Sequence, residues 1–281
     1  VDARGIVAAA ENDITLGVPG PEELALACEV AQSREVHVHL KLDSGMGRMG
    51  VTEGELPAVV ERIRATPRLR LDGVYTHFAS ADDDPEFTQE QIDRFDRMRT
   101  ILDAPLHHFA NSAATLRGLV RPGDFARVGI ALYGARGAGF SPPGRAEARP
   151  TLSTEPVMRW RTEIARLKTL PPGHAIGYGT TFHTARESLI ATLPVGYADG
   201  FNRLQSNNGT VLVRGRRAPI VGRVSMDLVT IDVTDVPGAA LGDEVILLGD
   251  GITADEIAAR TDTISYEVFC SISARVPRVY R

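Results

Sequence analysis

Val36-His37-Val38-His39-Leu40-Lys41-Leu42, followed at once by Asp43-Ser44-Gly45-Met46-Gly47-Arg48, is the stretch that decides the fold. Its first seven residues alternate between β-branched or apolar and polar side chains, which reads as a strand. The next six are polar and glycine-rich, so backbone and charge gather where the strand ends. The same arrangement recurs downstream. A strand over 71–78 meets Thr76-His77, and a strand over 105–110 meets Asn111-Ser112. A third, over 125–132, carries Arg127 and runs through Gly129-Ile130. Helical stretches lie between, at 21–32, 53–65, 85–102 and 113–119, and a short apolar run at 14–18 precedes them. Strands alternating with helices predict parallel βαβ units. Barrels of such units place ligand chemistry at the C-terminal strand ends.

The rest of the chain has a different rhythm. After a Gly-, Pro- and Arg-rich stretch at 135–150, strand-like segments at 157–170, 188–195, 210–213 and 218–233 alternate with Gly and Pro. Short helices are expected at 253–261 and 265–273. The expectation is an α/β portion over 1–148 and a mostly antiparallel β domain over 149–281.

Composition narrows the classes of function. The 281 residues are 43% hydrophobic and 24% charged, ordinary values for a globular protein. A net charge of −5 gives no positive field for nucleic acid, and no apolar run is long enough to span a membrane. Cys28 and Cys270 are far apart and form no metal-binding spacing, so no metal is expected. A reducing cytoplasm is the plain reading of that cysteine usage. The first residues lack the layout of a signal peptide. Only two residues are lysines, Lys41 and Lys168.

The strand ends suit an anionic, phosphorylated ligand. Free backbone N–H groups at the start of the helix after Asn111-Ser112 favour phosphate, and Gly129-Ile130 allows close backbone approach. Arg48 and Arg127 add positive charge with fixed fork geometry. Plainer readings stand beside these. Ser112 reads equally as a helix N-cap, His77 as a satisfied core histidine, and Lys41 as the partner of Asp43.

These residues also carry a family resemblance. Lys41-Leu42-Asp43-Ser44-Gly45-Met46-Gly47-Arg48-Met49-Gly50, His77-Phe78-Ala79 with Ala81-Asp82, Asn111-Ser112-Ala113-Ala114 and Arg127-Val128-Gly129-Ile130-Ala131-Leu132-Tyr133-Gly134 resemble alanine racemase motifs. So do Gly177-Tyr178-Gly179-Thr180-Thr181-Phe182, Gly196-Tyr197-Ala198-Asp199-Gly200 and Gly222-Arg223-Val224-Ser225-Met226-Asp227. Tyr266-Glu267-Val268 and Arg275-Val276-Pro277-Arg278 complete the series.

The resemblance implies a (β/α)8 TIM-type barrel followed by a β domain. It also implies pyridoxal 5′-phosphate as cofactor and interconversion of L- and D-alanine, supplying D-alanine for cell-wall peptidoglycan. The family is a head-to-tail homodimer. Ser112, Gly129, Ile130 and Tyr266 would hold the cofactor phosphate, with Asn111 beside them. Arg127 would face the pyridine nitrogen, and His77 would orient Arg127. Arg48 would reach the phenolic oxygen and the substrate carboxylate. Lys41 matches a position that can be carbamylated. Tyr178 would be the acid/base on one face of the substrate, acting in the partner's site. A free tyrosine has a pKa of about 10 and needs positive charge nearby for that task. Met226 would offer its backbone N–H to the substrate carboxylate, while Tyr197 and Asp227 would line the access route.

One departure stands out. The family's Schiff-base lysine lies in a Tyr-Gly-His-Gly context near the end of the first barrel strand, and the chain has no such stretch. The phosphate-holding tyrosine beside it is missing too. A barrel takes eight strands, and five candidates precede residue 148. The sequence is therefore expected to be the C-terminal part of a longer racemase, inactive by itself. Two other readings stay open: a racemase of the same fold with broader specificity, and a non-catalytic remnant that serves as a binding module.

Overall fold

The computed structural model describes residues 2–136 and 153–280. The chain divides into two compact units, one running to Gly129 and the other taking up the chain from Ile130. The boundary expected at 148/149 and most of the 135–150 stretch lie outside the described residues.

The first unit is a five-stranded parallel sheet with helices between the strands. In chain order it contains α1 (Ala3–Glu11), β1 (Leu16–Val18), α2 (Pro21–Val30), β2 (Val36–Lys41), α3 (Leu56–Arg64), β3 (Leu69–Tyr75), α4 (Pro85–Arg99), β4 (Leu106–Ala110), α5 (Ser112–Leu116) and β5 (Phe125–Ala126). The strands lie side by side in sequence order, every neighbouring pair parallel. These are five consecutive strands of a βα barrel. Alternation in β2 buries Val36, Val38 and Leu40 at 0–1% exposure and turns His37, His39 and Lys41 to the opposite face. Phe95 and Phe109 pack edge to face at 6.0 Å, joining α4 to the sheet.

Sequence periodicity missed α1, an alanine-rich helix whose N-terminus is capped by the Asp2 carboxylate accepting from Gly5 N at 2.8 Å. The strand expected over 125–132 is cut to Phe125–Ala126, and Ile130–Tyr133 forms a 3-10 turn instead.

The second unit is built from antiparallel sheets. Its strands are β6 (Trp160–Glu163), β7 (Arg166–Leu170), β8 (Ala175–Ile176), β9 (Phe182–His183), β10 (Ser188–Leu193), β11 (Thr210–Val213), β12 (Arg216–Pro219), β13 (Val229–Asp232) and β14 (Glu244–Leu248). Helices α6 (Ala254–Arg260) and α7 (Ser265–Ser271) follow. The sheets run β13-β10-β7, β12-β11-β14-β6 and β8-β9. Val211, Val213, Ile231, Val245 and Leu247 fill the core at 0–1% exposure.

The single strand expected over 157–170 splits between two sheets, turning at the buried Ile164. The strand expected over 218–233 breaks at Gly222, whose φ of 80° and approach to the Ile176 carbonyl suit glycine alone. The apolar run of β14, unassigned from sequence, becomes the strand between β11 and β6.

Candidate active site

The parallel register arranges the strand-end residues in rows. Lys41 pairs with Tyr75, and Tyr75 with His108. His39 pairs with Gly73, and Gly73 with Leu106, one row below. Arg127 follows directly on β5. Sequence-distant side chains thereby meet at one end of one sheet.

Arg127 is the centre of this cluster. Its Nη1 donates to His108 Nδ1 at 2.6 Å and to the His108 carbonyl at 3.0 Å. Its Nη2 donates to the Thr76 carbonyl at 2.6 Å and reaches His77 Nδ1 at 3.4 Å. The guanidinium also lies 5.2 Å from the Tyr75 ring centroid. A guanidinium has five N–H donors and no acceptor. Four are engaged, and the fifth, Nε–H, has no partner among the described residues. The family resemblance implies that His77 orients Arg127. The geometry gives the larger share to His108 and the Thr76 carbonyl, with His77 the longest contact.

The electrostatics are one-sided. Burial, then the Arg127 charge, pushes the His77 and His108 imidazoles down to about 4, so both stay neutral near pH 7. Lys41 is buried, and desolvation followed by the Arg48 charge lowers its ammonium pKa. Its plain reading as the partner of Asp43 does not match the geometry. Asp43 spends its carboxylate on the N–H groups of Gly45, Met46 and Gly47, at 2.9–3.1 Å. Lys41 has no ion pair among the described residues. Arg48, on the exposed part of the same loop, adds a third cation. Below the loop, Arg94 Nη1 donates to the Ser44 carbonyl at 2.8 Å, and the buried Ser44 and Thr76 hydroxyls bond at 2.7 Å.

At the next strand end the cap is Asn111, not Ser112. Asn111 Oδ1 accepts from Ala114 N at 3.0 Å, while Ser112 is the first residue of α5 and its Oγ accepts from Gly129 N at 2.9 Å. Among the described residues a Cβ at Gly129 would meet no atom within 4 Å, so none of them fills the space over this backbone. The buried Ser112 hydroxyl beside this exposed backbone is a combination that suits an anion. Ile130 belongs to the second unit, 6% exposed at the head of its 3-10 turn.

The second unit presents its candidate residues outward. Tyr178 opens a 3-10 turn between Gly177 (φ 74°) and Gly179 (φ 70°) and is 73% exposed. The Arg223 guanidinium packs against that turn, 3.4 Å from where a Gly179 Cβ would stand. Met226 is exposed, and its backbone N–H has no partner among the described residues. The turn Tyr197–Asp199 is laced to this loop by Tyr197 N to the Ser225 carbonyl at 3.1 Å and Ala198 N to the Met226 carbonyl at 3.0 Å. Asp227 pairs with Arg275, which also holds Asp199 at 2.7 Å. Tyr266 sits in the first turn of α7, 44% exposed.

The sequence did not single out His39, Tyr75 or His108, and Arg223 and Arg275 stood in quoted motifs without a task. Alternation in each strand marks which face His39 and His108 take, but only the register shows that they meet. Among the described residues no group of His, Cys, Asp and Glu could hold a metal ion, and no helix is long and apolar enough to cross a membrane.

Two family models match the chain: the alanine racemase N-terminal domain over residues 1–137 and the C-terminal domain over residues 157–280. An alanine racemase from Halothermothrix orenii is 45% identical over 275 residues, covering 93% of this chain and 71% of that protein. The crystal structure of alanine racemase from Bacillus anthracis with bound L-Ala-P is 38% identical, with a TM-score of 0.81 over 99% of this chain and 73% of that one. The Bartonella henselae enzyme with covalently bound pyridoxal phosphate is 26% identical, with a TM-score of 0.86 over 98% of this chain and 75% of that one.

Proposed function

The chain belongs to the alanine racemase family, and on that premise we propose that it provides the cofactor cradle and one proton-transfer face for the interconversion of L- and D-alanine. Pyridoxal 5′-phosphate, when bound, supplies the electron sink that lets the alanine Cα proton leave. The observation that carries the reading is the Arg127 guanidinium, tied down at four N–H groups with Nε–H left to donate.

Each residue then has a physical task. Arg127 would offer its Nε–H to the pyridine nitrogen and, as a guanidinium, would keep that proton rather than pass it on. Ser112, Gly129, Ile130 and Tyr266 hold the phosphate, and Asn111 caps the helix that carries Ser112. His77, neutral, adds to the holding of Arg127. Arg48 draws in the phenolic oxygen and the substrate carboxylate, and the Met226 N–H donates to that carboxylate. Tyr178 takes or delivers the Cα proton on one face, with the Arg223 charge against its turn. It does so in the site of a partner subunit of a head-to-tail homodimer. Tyr197 and Asp227 line the access route. Lys41, buried with a depressed ammonium pKa beside Arg48, is suited to carbamylation, because only the neutral amine adds carbon dioxide. The D-alanine formed serves cell-wall peptidoglycan, and the enzyme works in the cytoplasm.

Two-face racemisation needs a second base. Lys41 and Lys168 are the lysines of the sequence, and neither stands in the Schiff-base motif of the family. We therefore expect the 281 residues alone to leave L-alanine optically unchanged. Addition of pyridoxal 5′-phosphate and L-alanine, followed by polarimetry, tests this. Racemisation at an ordinary enzymatic rate would refute the missing-base argument. For the cofactor role, Arg127→Glu in a racemase carrying the Schiff-base lysine should raise transamination side products. An unchanged product distribution would remove Arg127 from the pyridine nitrogen.

A further inference from the structure

His39 has no part in the chemistry assigned above, yet through the buried His108 it forms a continuous, partly buried hydrogen-bonded chain that ends on Arg127. We propose that His39 is a positioning residue for Arg127, acting through His108 by fixing which ring nitrogen of each imidazole carries its proton. The proposal rests on the reading of Arg127 as the donor to the pyridine nitrogen.

Donors and acceptors fix the direction of the chain. Arg127 Nη1 stands 2.6 Å from His108 Nδ1, and a guanidinium can only donate. His108 Nδ1 must therefore be bare, and its single proton must sit on Nε2. That nitrogen lies 2.8 Å from His39 Nδ1, so His39 Nδ1 must be bare in turn. The His39 proton is left on Nε2. Every link runs one way: guanidinium to His108, His108 to His39. Reversing either tautomer sets two lone pairs or two N–H groups face to face. An imidazolium at His108 would set an N–H against the guanidinium, and burial already holds that ring neutral.

The surroundings hold both rings in place. His108 is stacked on Tyr75, with centroids 4.9 Å apart and planes 3° from parallel. The His39 ring occupies the gap left by Gly73, where a Cβ would fall 2.9 Å from His39 Cε1 and Nε2. That pairing exists because the ladder between β2 and β3 shifts register between Val38 and His39, so that His39 meets Gly73 and Asp72 is skipped. His37, two residues earlier, shows the contrast. Its Nδ1 faces the Asp72 carboxylate at 2.8 Å, and that hydrogen bond raises its pKa. His39 has an imidazole instead of a carboxylate opposite, and its pKa falls through burial.

The test reads tautomers directly, without turnover. Long-range proton–nitrogen correlation on the protein with 15N-labelled histidine should show His39 and His108 as Nε2–H tautomers at about pH 7 to 8, where an imidazole of ordinary or lowered pKa is neutral. His39→Leu removes the acceptor, and His108 should lose at least about tenfold of its tautomer preference, as expected for one lost hydrogen bond. His39→Gln, whose amide oxygen can accept, should restore much of it. Gly73→Ala displaces the His39 ring without changing it and should reproduce the His39→Leu pattern. An Nδ1–H tautomer at His108 in the unsubstituted protein overturns the proposal, and that measurement needs no variant to fold. So does a His39→Leu protein in which the ratio of His108 tautomers is unchanged from the unsubstituted protein. With 15N-labelled pyridoxal 5′-phosphate bound, the ring-nitrogen signal should move in both His39→Leu and Arg127→Lys. A signal that ignores Arg127→Lys refutes the underlying reading of Arg127. One that follows Arg127→Lys but not His39→Leu refutes only the part played by His39.

Discussion

The two units hold their functional residues in opposite ways. At the strand ends of the first unit, Arg127, His108 and Lys41 are enclosed and bonded or desolvated by neighbours from four strands. In the second unit Tyr178, Tyr197, Met226 and Tyr266 stand on loops and helix ends, each 44–73% exposed. The first arrangement fixes charge and proton position in advance, because a buried polar group must have its partners built in. The second presents side chains outward from a β scaffold, where they are open to solvent and to whatever docks on them.

The contrast can be broken most forcefully through the scaffold of the second unit. Gly200 has φ 96°, and a Cβ there would come within 2.1 Å of the Ser271 carbonyl at the end of α7. Gly200→Ala should cost about 3 kcal/mol, combining backbone strain with overpacking. A melting point left unchanged would show that α7, and Tyr266 with it, is not anchored there.

Acid should separate the units. His77 and His108 have folded-state pKa values of about 4 against an ordinary 6.5. The unfolded chain therefore binds more protons between those values, and stability of the first unit should fall as pH drops from about 6.5 to 4, by on the order of 2 kcal/mol per imidazole. Trp160 is the sole tryptophan and lies in the second unit. Its fluorescence should lag behind the loss of helical circular dichroism, which is dominated by the first unit. Coincident acid transitions would mean that the units do not differ in this way.

A smaller effect lies lower still in pH. Asp96 is held down to about 2, first by its hydrogen bonds with Arg121 and then by those with Arg99. Its contribution is complete above the unfolded value near 3.8 and disappears as pH falls through about 2. Asp96→Asn should cost about 1 kcal/mol at neutral pH, after allowance for solvent screening, and flatten the acid limb. Equal slopes in the two proteins would dismiss the pair. The least costly change to stability is Tyr178→Phe. At 73% exposure it should shift stability by less than about 0.5 kcal/mol. In a complete racemase it should nonetheless slow one direction of proton transfer more than the other. Equal slowing in both directions would take Tyr178 off a single face.

Much of this was legible in the chain, for a physical reason. The alternation in Val36-His37-Val38-His39 and the polar residues after each strand are local signals, and they located Lys41, Arg127 and Ser112 at one sheet end. What escaped was non-local. No local pattern states that β3 skips Asp72, so nothing announced the meeting of His39 with His108. The Arg275 pairs join positions 76 and 48 residues apart, and Arg223 lies beside the Tyr178 turn, 44 residues on in the chain from Gly179. The plainer reading of Ser112 as a cap falls one residue away from the real one, since Asn and Ser are both good caps and only the bond to Ala114 distinguishes them.

Arg127 is pinned by His108, Thr76 and His77 with no ligand in the argument at all. A long flexible side chain has about 2 kcal/mol of rotamer entropy to lose, and here the loss falls on folding rather than on association. A ligand that meets the remaining N–H therefore finds a donor already still, and its affinity carries no deduction for freezing that arm.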